Sequence, residues 1–503
     1  MKIGTAKCFN ASFARRLDHR VDSVADFESG RKASVEDRVS AMTCESLQPR
    51  YDDFPQVMGG RKGLLPGYGI LLGVLLAGNL LFDKAFAYIH VPGTPLYVAE
   101  LFILFGAIAV ASSPQYLSDA IRREPLLALL LLFVLWGAVR LLPDVSIYGI
   151  NAIRDAALWY YCSFAFIAVA VLAKCPDMAS RWLRQLDRFL LVVFIWLPIA
   201  LVARSYATAG PDVPFSSMPI LTHKSQDIVI VPVLGLGYLW LQPSVKGKKR
   251  CAFLSLIAFL IIIFTGTQTR GGLLSGLAGL TVGLIFADNR LRIMVRGALV
   301  VVACLVMTAM LSLQISTAGT PVHAVRTFSA GQLLQNVASI SGTSSPGFLS
   351  GTVAYRESLW TTVLSQQVEA GRLLNGFGFG LNLANQAGVY DGNYYDPLRS
   401  PHNSYLDVLA RMGVVGIVLW VALWTAWYWR LVSRCKVLRR RGLGERRCIA
   451  VLCLMVNTAY LVGAFFDPAF EGAMAAVIAW TAFGVGVAVT RGESPSAARS
   501  LTV

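Results

Sequence analysis

Apolar residues in this chain fall into twelve long blocks, near 63–82, 94–111, 125–142, 156–173, 189–203, 226–242, 251–266, 271–287, 297–313, 412–430, 450–466 and 473–489, with polar connections between them. Each block is about 15 to 20 residues long, which suits an α-helix crossing roughly 30 Å of hydrocarbon and not the shorter alternating strands of a barrel. The pattern predicts an all-α polytopic membrane protein with about 12 transmembrane helices. Two polar stretches stand outside the repeat. Residues 1–62 mix 11 basic with 9 acidic residues and show no periodicity, so they read as a flexible tail. They contain no apolar run fit for a signal-peptide core, and the first block is expected to act as an uncleaved anchor. The second stretch, 314–411, has 98 residues, too many for a mere connection, and is expected to carry function. The expected organisation is a cytoplasmic tail (1–62), helices 1–9 (63–313), a long external loop (314–411), helices 10–12 (412–489) and a second cytoplasmic tail (490–503).

Composition removes the competing classes. The chain is 55% hydrophobic and only 15% charged, with a mean hydropathy of +0.58, whereas an ordinary soluble domain carries about 25% charged residues. A net charge of +16 and a pI near 9.6 raise nucleic acid as a partner, and the location of the charge disposes of it. The even-numbered connections, 112–124, 174–188, 243–250, 288–296 and 431–449, hold 20 Lys and Arg against 10 in the odd-numbered ones, half of those in the long loop. By the positive-inside rule the even connections and both termini are cytoplasmic. Lys246, Lys248, Lys249, Arg250 and Arg439, Arg440, Arg441 are therefore topology determinants. None of the nine cysteines falls in an external connection, which implies no disulfide framework and no CxxC metal site. His90, His223, His323 and His402 are all external, but scattered without metal-ligand spacing, so no metal is expected.

Within the long loop, Ser341 to Gly347 is small and polar. From Thr352 to Leu374 the pattern becomes helical, with Val353, Trp360, Val363, Leu364 and Val368 near one face and Gly376 as the stop. Arg356 and Trp360, four apart, share a side. Gly376, Phe377, Gly378, Phe379 and Gly380 permit a tight backbone path. Then Pro401 forces an extended approach, Asn403 or Ser404 can cap a new helix, and Ser404 with Asp407 has capping-box spacing. His402 is thereby predicted at a helix N-terminus, where the dipole disfavours the imidazolium and leaves a neutral base. A purely structural hydrogen bond to a neighbouring helix is the competing reading.

Arg270, in the short external turn Thr267–Arg270, cannot move far from the membrane surface. The glycines after it give span eight two GxxxG spacings, which let helices approach closely. A guanidinium held at such a helix end suits a phosphate ligand, with snorkelling to lipid headgroups as the alternative. Arg154 before span four and Lys224 before span six pose the same choice.

The order of the spans, the long external loop before the last three, TxTRGG opening a glycine-rich span, YRESLW, GFGFG and above all PHNSYLDVLARMGVVGIVLW resemble the O-antigen ligase and O-antigen polymerase superfamily, over roughly 63–489. The resemblance implies a GT-C-like inner-membrane enzyme of bacteria. It would perform metal-independent, inverting transfer of a glycan from undecaprenyl diphosphate to an acceptor hydroxyl at the periplasmic face, with no cofactor. The acceptor would be lipid A core for a ligase or a second lipid-linked glycan for an O-antigen or exopolysaccharide polymerase. Carried onto this chain, His402 becomes the base, Arg270 and Arg356 contact the diphosphate with Arg154 and Lys224 beside them, and Asn403, Ser404 and Trp360 support the site. A flippase or transporter is the competing class, since Glu100 and Asp227 lie within apolar blocks. Against it, the long connection is not central and the polar elements gather at one face instead of the midplane.

Overall fold

The computed structural model describes residues 63–203, 211–214, 218–242, 247–310, 313–314, 327–340, 348–388 and 399–491. The tail 1–62, nearly all of the C-terminal tail and the run Ser341–Gly347 lie outside the described residues.

Every apolar block becomes helix. In order they are α1 (Leu64–Phe82), α2 (Lys84–Ala87), α3 (Val98–Ala111), α4 (Gln115–Arg123), α5 (Pro125–Tyr148), α6 (Ile150–Asp155), α7 (Ala157–Tyr160), α8 (Ser163–Lys174) and α9 (Asp177–Ala203). A short 3-10 turn, Asp227–Val229, leads into α10 (Ile230–Leu241), followed by α11 (Lys248–Gln268), α12 (Arg270–Phe286) and α13 (Arg290–Met310). The long loop contributes the two-residue antiparallel pair β1 (Leu313–Gln314) and β2 (Thr327–Phe328), then α14 (Ala330–Ile340), α15 (Phe348–Glu369) and α16 (Leu383–Gln386). Three helices close the chain: α17 (Ser404–Arg440), α18 (Gly444–Gly463) and α19 (Ala473–Val489).

This is an all-α polytopic membrane protein. Among the described residues seven helices are long and apolar enough to cross a bilayer, or nine if the bent pairs α3 with α4 (91°) and α6–α7 with α8 (46°) each count as one. The other three blocks, Asp227–Leu241, α12 and α19, form shorter apolar helices, so the expected twelve full spans divide into two length classes. Asp227–Leu241 and α19 are lined by protein, and a helix surrounded by other helices is not obliged to match the full hydrocarbon thickness, while α12 is buried along its glycine face and exposes Leu277 and Ile285 on the other.

Small residues set the packing at the centre. A Cβ added to Gly279 of α12 would sit 2.9 Å from the Met455 carbonyl of α18, and one on Gly271 would meet Phe466 at 2.8 Å. The GxxxG spacing thus brings α12 against α18 at backbone range. In α18, 72% of the apolar window is buried, against 11% in α13, so α18 is the hub and α13 faces lipid. Beside the hub, Trp420 and Trp424 of α17 interlock with Trp480 of α19 at ring separations of 5.8 and 5.4 Å.

Ion pairs segregate by end. Glu124 pairs with Arg430 and Arg491, and Asp288 with Arg439 and Arg447, all in or at the edge of segments that the Lys and Arg count assigns to the cytoplasm. Lys224, Asp467, His402, Asp155, Arg399 and Arg411 interact at the other end.

Two local expectations change. Although helical hydrogen bonding runs on through α17, Gly413 has φ 70 and ψ −170, so the helix that begins after the histidine motif is kinked where it meets the apolar block. α15 ends at Glu369 instead of near Leu374, and a glycine earlier than Gly376 stops it. Gly371 takes φ 63, its N–H bonds to Val368 O at 3.0 Å and the Arg372 N–H to Gln367 O at 2.9 Å, the paired pattern of a Schellman stop. The buried face of α15 is Leu359 and Val363, whereas Val368, expected to share it, is 60% exposed.

Candidate functional site

The histidine motif is built by its neighbours. Asn403, not Ser404, caps α17: its Oδ1 accepts from the N–H groups of Tyr405 (3.0 Å) and Leu406 (3.2 Å). No capping box forms, because Asp407 turns to Arg411 (3.0 Å) and the Ser404 N–H bonds to Ala464 O (2.9 Å). Upstream of the cap, His402 holds a left-handed backbone, φ 53. That region is sparsely populated by residues other than glycine, although histidine is among the more tolerant. Such a conformation persists only where its surroundings over-determine it. Here Trp360 Nε1 donates to Pro401 O at 2.8 Å, tying the motif to α15.

The ring of His402 faces a carboxylate that sequence reasoning did not identify. Nδ1 lies 3.6 Å from Oδ1 of Asp467, in the connection between α18 and α19, and His402 remains 36% exposed. The other Asp467 oxygen pairs with the Lys224 ammonium, and the Lys224 backbone N–H donates to Asp83 Oδ2. Burial alone would raise the Asp467 carboxyl, but Lys224 and His402 more than offset it and hold it at about 2. Burial pushes Asp83 up to about 6 against the pull of Lys224 and Lys84. For Lys224 burial works against the charge, while Asp467, Asp227 and Asp83 outweigh it and raise the group above its ordinary value. Asp467 is therefore an anion that joins His402 to Lys224.

Arg356, on α15 one turn before Trp360, is half-buried and lies within electrostatic reach of Asp467 and Arg270; burial lowers its pKa more than Asp467 raises it. Arg270 is the first residue of α12. Thr269 caps that helix, its Oγ1 accepting from the Gly272 N–H at 3.4 Å, so Arg270 projects from the positive end of a helix dipole. The break between α11 and α12 is Thr269 alone, tighter than the four-residue turn expected. Arg270 Nη1 donates to Ser339 Oγ of α14 at 3.2 Å.

Of the expected site residues, the structure groups His402, Lys224 and Arg356 around Asp467, sets Arg270 beside Arg356, and places Trp360 and Asn403 as supports. Ser404 is fully buried; its Oγ lies 3.5 Å from Glu471 Oε1 and accepts from the Phe470 N–H at 3.4 Å, which fastens the start of α17 to the α18–α19 connection. Arg154 is exposed on α6, next to Asp155.

Asp155 belongs to a second cluster, also unforeseen. It takes a two-pronged contact from Arg399 (3.2 and 3.0 Å) and one from Arg411 (2.9 Å), whose Nε bonds both Asp407 oxygens (3.0 and 3.1 Å). The GFGFG segment closes on it. Gly380 N–H donates to Asp155 (3.0 Å) and Phe379 N–H to Asp144 of α5 (2.8 Å). Gly376, Gly378 and Gly380 all have positive φ, and a Cβ on Gly378 would collide with Asp144. The glycines serve docking of the loop onto buried carboxylates.

A signal for Asp467 was present: it lies in a short external connection whose only charges are acidic, Asp467 and Glu471. Among the described residues no three His, Cys, Asp or Glu side chains are grouped to hold a metal ion.

Comparison with known proteins fits this geometry. Residues 253–421 match a family model described as O-antigen ligase. That stretch holds Arg270, Arg356, Trp360, His402, Asn403 and Ser404 and leaves out Arg154, Lys224 and Asp467. No curated protein matches the chain. Over that stretch the chain is similar to the O-antigen ligase family.

Proposed function

We propose that this protein is an inner-membrane glycosyltransferase that moves a glycan from undecaprenyl diphosphate to an acceptor hydroxyl at the periplasmic face, with inversion at the anomeric carbon and without a metal. The acceptor is lipid A core in the ligase reading; a polymerase would use a second lipid-linked glycan in the same site. The observation that carries the proposal is the His402–Asp467–Lys224 arrangement with Arg356 within electrostatic reach, inside a membrane chain that has an O-antigen ligase domain. Orientation rests on the Lys and Arg asymmetry, which puts this end outside and both termini in the cytoplasm.

The chemistry follows from charge and proton bookkeeping. Asp467 beside Nδ1 favours the tautomer with its proton on Nδ1, leaving the Nε2 lone pair free. The acceptor oxygen bonds the anomeric carbon opposite the diphosphate, the bond from that carbon to the phosphate oxygen breaks with its electron pair leaving on the diphosphate, and the hydroxyl proton passes to Nε2. A positioned base contributes about 100-fold to 10,000-fold. Charge accumulates on the departing diphosphate, where Arg270 and Arg356 stabilise it in a partly dehydrated setting. Lys224, partly exposed beyond its bond to Asp467, adds to the positive potential, and Arg154 does so from α6. The loop 314–411 acts as the module that brings Arg356 and His402 to the helical body.

Deleting the protein and resolving surface glycans on gels tests this. Polymer absent from lipid A but retained on the carrier supports a ligase, and single repeats in place of ladders support a polymerase. Normal chain lengths with precursor held in the cytoplasm contradict both and favour transport. Transfer in reconstituted membranes that survives His402→Ala and Arg270→Ala contradicts the roles given to those residues. A chelator that abolished transfer would contradict the metal-free step.

A further inference from the structure

The helix α14 sits in the long loop, carries no charged residue and contributes nothing to the reaction proposed above, yet it makes several polar contacts with the turn that bears Arg270. Asn336 is fully buried. Its Nδ2 donates to the carbonyls of Gly266 (2.8 Å) and Thr267 (2.9 Å), in the last turn of α11. Those carbonyls belong to the end of a helix, where four acceptors lack partners within the helix itself. Three residues on, Ser339 Oγ donates to Asn336 O (2.8 Å) and accepts from Arg270 Nη1 (3.2 Å). The apolar side of the contact is matched to it. Gly266 has no Cβ where one would lie 2.8 Å from Leu333, and Phe328 of β2 packs on Phe264 at 5.9 Å.

We infer that α14 is a clamp on the diphosphate site, with Asn336 and Ser339 as positioning residues for Arg270. This rests on the reading of Arg270 as a diphosphate ligand. Arginine has several rotatable bonds, and a free side chain would lose that freedom each time a donor bound. Asn336 holds the α11 end from which the arginine departs, and the Ser339 hydroxyl, itself oriented by its bond to Asn336 O, holds one prong of the guanidinium. The fork is thereby pre-aimed, with the cost of ordering it met during folding. The bond from Ser339 is neutral, so it holds the guanidinium without cancelling the charge that a phosphate would meet. A segment between two transmembrane helices then tunes donor affinity without touching the donor.

The test is a double-mutant cycle in reconstituted transfer, with kcat and KM for the lipid diphosphate read separately. Asn336→Ala is expected to lower kcat/KM about 100-fold, the scale of a misplaced catalytic group. Ser339→Ala should raise KM for the donor about tenfold, as for one lost hydrogen bond to a charged group, while Ser339→Thr restores it. Thermal midpoints in detergent report folding, and Ser339→Ala serves as the reading if Asn336→Ala fails to fold. In an Arg270→Ala background neither change should cost more, because the group they position is gone. Losses that multiply in that background would overturn the clamp, as would a normal donor KM for Ser339→Ala. If Arg270→Ala alone leaves transfer unaltered, the diphosphate reading itself fails.

Discussion

Two clusters of charge lie at the same end of this molecule and use the same residue types to opposite effect. In one, Arg411 is 1% exposed and its guanidinium is taken up by Asp407, Asp155 and the Leu381 carbonyl. Arg399 is consumed by Asp155 and Gly380 O in the same way. In the other, Asp467 is held between Lys224 and His402, while Arg270 and Arg356 stand half-buried with like charge facing like. The first cluster takes up its guanidinium donors in buried carboxylates and carbonyls; the second brings two half-buried arginines together at its edge. A closed network fixes structure, and like charges brought together in a half-buried setting are prepared for an anion that arrives later. Proximity of charged residues alone would not have told them apart; burial and the charge that each arginine faces do.

The contrast can be broken by substitution, and the largest effect belongs to the open cluster. His402→Ala should lower transfer about 100-fold to 10,000-fold with an unchanged unfolding midpoint in detergent. Next is the closed cluster. Arg411→Ala leaves Asp407 buried without its partner and Asp155 with Arg399 as its remaining cation, and should cost about 3 to 5 kcal/mol of stability, read as lost folded protein in membranes at any donor concentration. Gly378→Ala should act in the same direction, by driving the loop off Asp144. Arg270→Ala should raise the barrier by about 3 kcal/mol and leave stability alone. If Arg411→Ala instead yields a folded enzyme with altered donor KM, the division between the clusters fails.

The smallest expected effect concerns acid. Asp467 is held at about 2, below its ordinary value near 3.9. A depressed carboxylate contributes stability that is complete above its unfolded value and is lost only as pH falls through the folded one. Unfolding midpoints of the wild type and Asp467→Asn should therefore differ by a constant amount from pH 8 to 5 and converge below pH 4. Convergence between pH 7 and 5 would assign the coupling to another group.

The helical body was legible because lipid imposes a length and a composition on every exposed span, and that constraint is local in sequence. It weakened where protein replaced lipid: Asp227–Leu241 and α19 are shorter than a full crossing, and only their partners explain that they fold where they do. The site was half legible. His402 and Arg270 announce themselves through proline, asparagine and glycine at fixed offsets, and Arg356 through the helical spacing it shares with Trp360. Asp467 and Asp155 do not, since a carboxylate in a short connection becomes informative only when a distant histidine or arginine meets it. The histidine was also assigned a different electrostatic setting: a helix N-terminus was foreseen, and the anion on its other side was not. Gly371 and Gly376 show the limit of stop signals, because both could end α15 and only the hydrogen-bonding partners choose.

In the proposed reaction His402 moves the proton while the arginines hold the donor, and a single experiment on His402→Ala separates the two roles. Binding of a labelled undecaprenyl-diphosphate glycan and its single-turnover transfer are measured in the same proteoliposome sample. Donor is expected to bind at the wild-type level, with product formation reduced at least about 100-fold. Product at the wild-type rate, or loss of donor binding with the transfer step intact once donor is saturating, would contradict this division of labour.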